Sequence, residues 1–152
     1  MGTMIIGLPI ALLLGMRREA VGATVSICRE PTLGLISEIY GINSAEGLGV
    51  MGTYMVGNLF GSIFFGLLGS LSVMSGLDPR ALAMACGMGS GSMMTAATQS
   101  LTATVPAMAE EISAFAATSN IMTNVTGLYM DLFVALPCAN FLYKLLVRKS
   151  SR

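Results

Sequence analysis

Few residues in this 152-residue chain could do chemistry, and they fall in two places. The first is the run CGMGSGSMM, in which Gly87, Gly89 and Gly91 alternate with Met88, Ser90 and Ser92. The second is the series Asn120, Asn124 and Asp131 within a largely apolar stretch. Alternating glycine suits a continuous helix poorly, so backbone N–H and C=O groups come free there and the two serines add hydroxyls. A helix restarting after the glycines would aim its positive end at the break, which favours a carboxylate or another anion. Gly87, Gly89, Ser90, Gly91, Ser92, Asn120 and Asn124 are therefore the candidate solute-binding residues. Asp131 is the candidate for coupling a cation or proton. Two structural alternatives stand beside these readings: a close helix crossing also needs small residues, and an aspartate near the membrane surface can simply cap or pair.

The chemistry this chain lacks is as informative. There is no histidine, which removes His-based nucleophilic triads and makes zinc sites improbable. Ser90 or Ser92 as a nucleophile would have no activating base, because no Lys lies in the apolar runs; no catalytic residue, metal or cofactor is expected, and the chain is not read as an enzyme. GMGSGS has neither Rossmann nor P-loop spacing. Eight basic and eight acidic residues give zero net charge, with no basic patch interleaved with aromatics, so nucleic acid is not an expected partner. Cys28, Cys86 and Cys138 are widely spaced and read as small apolar fillers. Asn124, Val125 and Thr126 form a glycosylation sequon, but inside an apolar helix it would not be reached.

Composition says what must position these residues. Apolar residues make up 54% of the chain and charged ones 11%, against roughly 25% charged in a soluble domain. The charges cluster, leaving none between Met1 and Met16, Gly47 and Leu77, or Ala81 and Ala109, and only Asp131 between Ile112 and Tyr143. These gaps are of membrane length. In lipid, non-helical backbone survives only where protein buries it or where it lines a wet cavity, so a glycine break at membrane depth is functional by default. An intramembrane carboxylate is too. No basic residue lies between Arg80 and Lys144, so a partner for Asp131 would come from another segment, with Arg29 the obvious choice.

The expected elements follow. Residues 1–16 read as a transmembrane helix, although sixteen residues reach only about 24 Å. Residues 20–40, with Arg29, Glu30 and Pro31 at their centre, read as an interfacial or re-entrant segment. Asn43 and Glu46 resemble a capping box that starts a helix near Ser44. Residues 48–76 are the cleanest spanning helix. Its small residues recur from Gly57 to Gly61 and through Ser62, Gly66 and Ser70, and Asn58 is suited to an interhelical hydrogen bond. Asp78 and Pro79 start the broken helix of residues 79–104. Pro106 starts a polar-striped helix over 107–147, interrupted near 118–124 by its polar cluster. At about 100° per residue, Ser113, Ala117, Asn120, Asn124, Gly127, Asp131, Ala135 and Cys138 share one face, and Pro137 would kink the end. Arg17, Arg18 and Arg29, like Lys144, Arg148, Lys149 and Arg152, favour the cytoplasmic side. Both basic regions lie inside only if residues 78–104 dip in and return.

The blocks SICREPTLGLISEIYGINSAEGLGV, ALAMACGMGSGSMM and AFAATSNIMTNVTGLYMDLFVALPCANFLY resemble an uncharacterised multispanning bacterial membrane family, domain of unknown function 3100. The resemblance covers most of the chain and implies a multi-pass protein of the bacterial inner (plasma) membrane, with this chain similar to the C-terminal half of longer members. More distantly, a Gly/Ser break followed by an Asn/Thr-rich helix is similar to carriers built from inverted repeats.

The reading is a single all-α integral membrane domain of about 3–4 transmembrane helices, one broken by Gly/Ser, forming half of a larger transporter-like unit. The expected function is transport of a small solute, such as an organic anion, with a coupling cation or proton. The expected partners are the lipid bilayer and a second copy or partner half. The rival reading is a non-enzymatic membrane scaffold or assembly subunit.

Overall fold

A computed structural model describes residues 2–25 and 30–150, with side chains placed for 4–25 and 30–147. Every regular element among them is helical. They are α1 (Gly2–Leu13), α2 (Glu19–Val25), α3 (Glu30–Tyr40), α4 (Ala45–Leu71), α5 (Pro79–Cys86), α6 (Gly91–Thr104), α7 (Ala109–Met130) and α8 (Leu136–Ser150). Short 3-10 turns precede α5 and α7 at Ser72–Ser75 and Pro106–Met108, and a π-turn, Asp131–Ala135, joins α7 to α8. The stretches Ala45–Ser75 and Pro106–Val147 are long and apolar enough to cross a membrane. Both leave large apolar side chains exposed, Leu59, Phe60, Ile63 and Leu67 on the first and Ile121, Met122, Val125 and Phe133 on the second. The chain divides into two compact units, Met1–Met55 with Thr126–Arg152, and Val56–Val125.

In the first unit α1, α2, α3 and α8 surround an apolar cluster that includes Val21, Ile36, Val50, Leu136 and Ala139. Gly15 and Gly41, each at φ 87°, end α1 and α3 in the left-handed conformation that glycine adopts at little cost. Two other glycines let backbones meet: a Cβ on Gly22 would overlap the Glu46 carbonyl, and one on Gly49 the Glu19 carbonyl. The cap of α4 is Ser44, not Asn43. The Ser44 hydroxyl accepts the Gly47 N–H at 2.9 Å, which leaves Glu46 for a different role. Its carboxylate takes the Arg18 guanidinium at 2.5 Å, and that guanidinium lies 5.4 Å from the centre of the Tyr143 ring.

In the second unit α6 lies against α4 in rising order, with Asn58 at Ser90, Gly61 at Met93, Gly66 at Ala96, and Gly69 at Ala97 and Ser100. The two helices therefore run parallel. Small residues of α4 do pack a helix, with Gly69 joining Gly61 and Gly66 in the row and Ser70 exposed. α5 pairs with α7 in the same sense, Arg80 with Glu111, Met84 with Ser119, and Gly87 with Ala116 and Asn120. Leu82, Ala83 and Cys86 of α5 share one apolar cluster with Ala97 and Leu101 of α6. The two short helices thus double back on each other through residues 87–90.

The long carboxy-terminal helix departs from expectation in two ways. No break occurs near 118–124: α7 runs through it, and Thr123 donates to the Ser119 carbonyl at 2.6 Å without unwinding the backbone. The departure comes at Asp131–Ala135, where the Leu136 N–H reaches the Asp131 carbonyl, one residue beyond α-helical spacing. Pro137 gives the cause. It has no N–H for the carbonyl of residue 133, its ring presses on that carbonyl, and a widened turn relieves both. The extra residue shifts the register, so that Ala139 is buried where Cys138, exposed, was expected. At the other end Ile112 and Ala116 are buried, and Ser113 and Ala117 are exposed.

Candidate functional site

Asp78 accepts the Arg80 N–H at 2.8 Å and Pro79 takes the first helical position, so α5 starts where its sequence says it should. It ends at Cys86 with two tight turns, Gly87 N–H to Met84 carbonyl and Met88 N–H to Ala85 carbonyl, both 3.2 Å. α6 restarts on Ser90, whose hydroxyl accepts the Met93 N–H at 3.4 Å and whose carbonyl accepts the Met94 N–H at 2.8 Å. Residues 87–90 are thus a non-helical apex between two helices.

Three side chains hold this apex. Asn120 donates both amide hydrogens, to the Gly87 and Gly89 carbonyls, each at 3.0 Å. Its own oxygen accepts from Asn124 at 3.0 Å. Ser119 donates to the Met84 carbonyl at 2.7 Å. On the opposite side Ser90 donates to the Asn58 side-chain oxygen at 2.6 Å. The Met84, Gly87 and Gly89 carbonyls are therefore met from α7, and the completely buried Ser90 hydroxyl is met from α4. Gly87 is needed for its size: a Cβ there would stand 2.5 Å from the Ala116 carbonyl oxygen and 2.6 Å from the Ser119 Cβ. Asn58 stands midway along α4 (Ala45–Leu71), so the apex sits at the level of that helix's middle.

Of the residues expected to bind solute, Gly87, Gly89, Ser90, Asn120 and Asn124 gather at the apex. Ser92 points outward with Met88, and both are exposed. The roles differ from those expected. Asn120 is committed to the backbone, whereas the Asn124 side-chain oxygen is buried without a partner. Ser119 and Asn58 complete the cradle. Asn58 was expected to make an interhelical bond, and Ser119 was seen only as one of several polar interruptions.

Asp131 lies in the first unit, at the start of the π-turn, and is buried. The hydroxyl of Thr32, itself completely buried, donates to its Oδ2 at 2.5 Å. Nearby on α3, Glu30 faces Tyr54, whose hydroxyl donates at 3.5 Å. Arg29 and Cys28 lie outside the described residues, so the Arg29–Asp131 pairing is not placed. Sequence reasoning missed Thr32, and also missed the Arg18–Glu46 pair, which joins residues far apart in the chain. Among the described residues no three Cys, Asp or Glu side chains gather to hold a metal ion.

No curated protein and no solved structure matches this chain. A family match does extend over residues 1–145. With nearly its whole length accounted for in this way, the chain belongs to the family described as "Protein of unknown function (DUF3100)".

Proposed function

We propose that this chain is part of a multi-pass transport protein of the bacterial inner membrane, in which α5 and α6 form a re-entrant hairpin that carries a small solute past its apex. The observation that carries the reading is the position of that apex. Irregular backbone level with the middle of a membrane-length helix is tolerated only inside protein or beside water, and carriers place their solute sites at such depth on interrupted helices. The apex offers the exposed Ser92 hydroxyl and the amino end of α6, groups suited to an organic anion. Asp131 serves the coupling cation or proton, with Thr32 orienting its carboxylate. A hairpin that enters and leaves on one side keeps both basic regions together, and the stacking of Arg18 on Tyr143 of α8 supports this.

The reading is tested by replacing Ser92 with Cys in a variant lacking the native cysteines and treating membrane vesicles with a charged, membrane-impermeant thiol reagent. Labelling from one side, slowed by a bound solute found among carboxylates and amino acids, is the expected result, with Leu67→Cys unlabelled. If Ser92→Cys resists labelling from both sides while the protein is folded, the apex faces no water and the transport reading fails. A second reading, a membrane scaffold, is favoured by how the apex carbonyls are met: Asn120 and Ser119 leave those of Met84, Gly87 and Gly89 satisfied without any solute. A scaffold predicts labelling, if any, that no solute alters.

A further inference from the structure

Between α1 and α8 of the first unit runs a groove of about 600 Å³, lined by apolar side chains such as Pro9, Leu12, Met16 and Leu146, with Arg17 and Tyr143 as its polar members. That volume falls in the range of small-molecule sites. Leu13, which also lines it, is 88% exposed, so the groove continues into an apolar surface. The two arginines beside it whose side chains are described are not equivalent. Arg18 is neutralised by Glu46 and stacked on Tyr143. Arg17 is exposed, and among the described residues its guanidinium forms no ion pair; Glu19 takes only its backbone N–H, at 3.0 Å.

An apolar slot beside one uncompensated guanidinium matches a ligand with a long hydrocarbon chain and an anionic head. A soluble anion would have no use for the slot, and a purely apolar partner would leave the guanidinium unmatched. We propose that the groove holds an acyl chain of an acidic membrane phospholipid, with the lipid phosphate against Arg17. Basic sites between membrane helices on the cytoplasmic side recognise acidic headgroups in this way, and Arg suits the task because its planar fork meets two phosphate oxygens at once. The inference rests on the chain's residence in a bilayer and not on transport.

The test uses the full chain in nanodiscs of phosphatidylcholine alone or mixed with phosphatidylglycerol. Phosphatidylglycerol should raise the melting temperature of the wild type by about 5 °C, and native mass spectrometry should find one molecule of it retained. Arg17→Gln should lose both effects, as should Leu146→Trp, which fills the slot. Arg80→Gln, which removes a cation outside the groove, should keep both. The proposal is overturned if the wild type shows no preference for phosphatidylglycerol, if Arg17→Gln keeps the full shift, or if Arg80→Gln loses as much, which would indicate bulk charge alone. It is equally overturned if the wild type is dimeric in phosphatidylcholine discs and Leu146→Trp makes it monomeric, since a second copy would then fill the groove. These results leave Ser92 labelling untouched, so the two readings fail separately.

Discussion

Replacing Gly87 with alanine adds one methyl group where α5 meets α7, and the cost can be worked from the structure. The backbone itself raises no objection, because Gly87 has φ −72° and ψ −4°, a conformation open to any residue. The cost is therefore steric. The new Cβ would stand 2.5 Å from the Ala116 carbonyl oxygen, 2.6 Å from the Ser119 Cβ and 2.8 Å from the Asn120 backbone nitrogen. Two of these three are backbone atoms within a helix and cannot swing aside, so α5 must retreat from α7. Overpacking of this kind costs about 2 kcal/mol. The retreat also stretches the bonds from Ser119 to Met84 and from Asn120 to Gly87 and Gly89, adding about 1 kcal/mol. A total near 3 kcal/mol lowers the melting temperature by about 6–12 °C in a chain this long. Thermal unfolding in detergent, followed by helical circular dichroism, reads this directly. Gly52→Ala is the control: its Cβ meets nothing within 4 Å, and the variant should match the wild type or gain up to about 1 kcal/mol. If Gly87→Ala melts with Gly52→Ala, the two helices do not approach as closely as described and the apex is not held by α7.

Asn120→Ala strands two carbonyls in an apolar site and should cost about 2–4 kcal/mol in the same unfolding assay; Asn120→Asp, which puts acceptor against acceptor, should be worse. Ser90→Ala removes the cap of α6 and the donor to Asn58 together, for about 2 kcal/mol. Arg18→Gln leaves Glu46 buried without its partner and should lower stability by about 2 kcal/mol, less than a fully buried pair would because the Arg18 side chain is 39% exposed; the double variant Arg18→Met with Glu46→Leu should recover most of the loss. Thr32→Val keeps the shape beside Asp131 and removes one hydrogen bond to it, so under the coupling reading cation-dependent stabilisation should weaken while the fold persists. An unchanged cation response in both Thr32→Val and Asp131→Asn would remove Asp131 from the mechanism.

Much of this arrangement was legible because it depends on local chemistry. The start of α5 at Asp78 and Pro79, the loss of helix among the glycines, and the restart of α6 each follow from a few adjacent residues. The partners were less legible. Asn120 and Asn124 could be placed on one helix face, but Asn120 could not be assigned to the Gly87 and Gly89 carbonyls nor Asn124 to Asn120, because nothing in a 3.6-residue period says which loop lies opposite. Arg18 and Glu46 looked like a loop charge and a capping residue, since the close approach at Gly22 and Gly49 that brings them together is a tertiary event. The polar stripe failed at both ends for separate reasons. Ser113 and Ala117 turned outward because apolar Ile112 and Ala116 win the buried side, and Cys138 turned outward because a regular period cannot anticipate an added residue at a π-turn.

That added residue also bears on how the sequence can change length. Elsewhere in a membrane helix, deleting one residue rotates everything beyond it by about 100° and turns buried faces toward lipid. Between Asp131 and Ala135 the same deletion can be absorbed by closing the wide turn to ordinary α spacing, leaving Asn120 and Asn124 before it and Ala139 after it facing as they do now. Removing Val134 should therefore be tolerated where removing Val125 is not, and chains of this kind have one point in their longest helix at which evolution can count differently without refolding the rest.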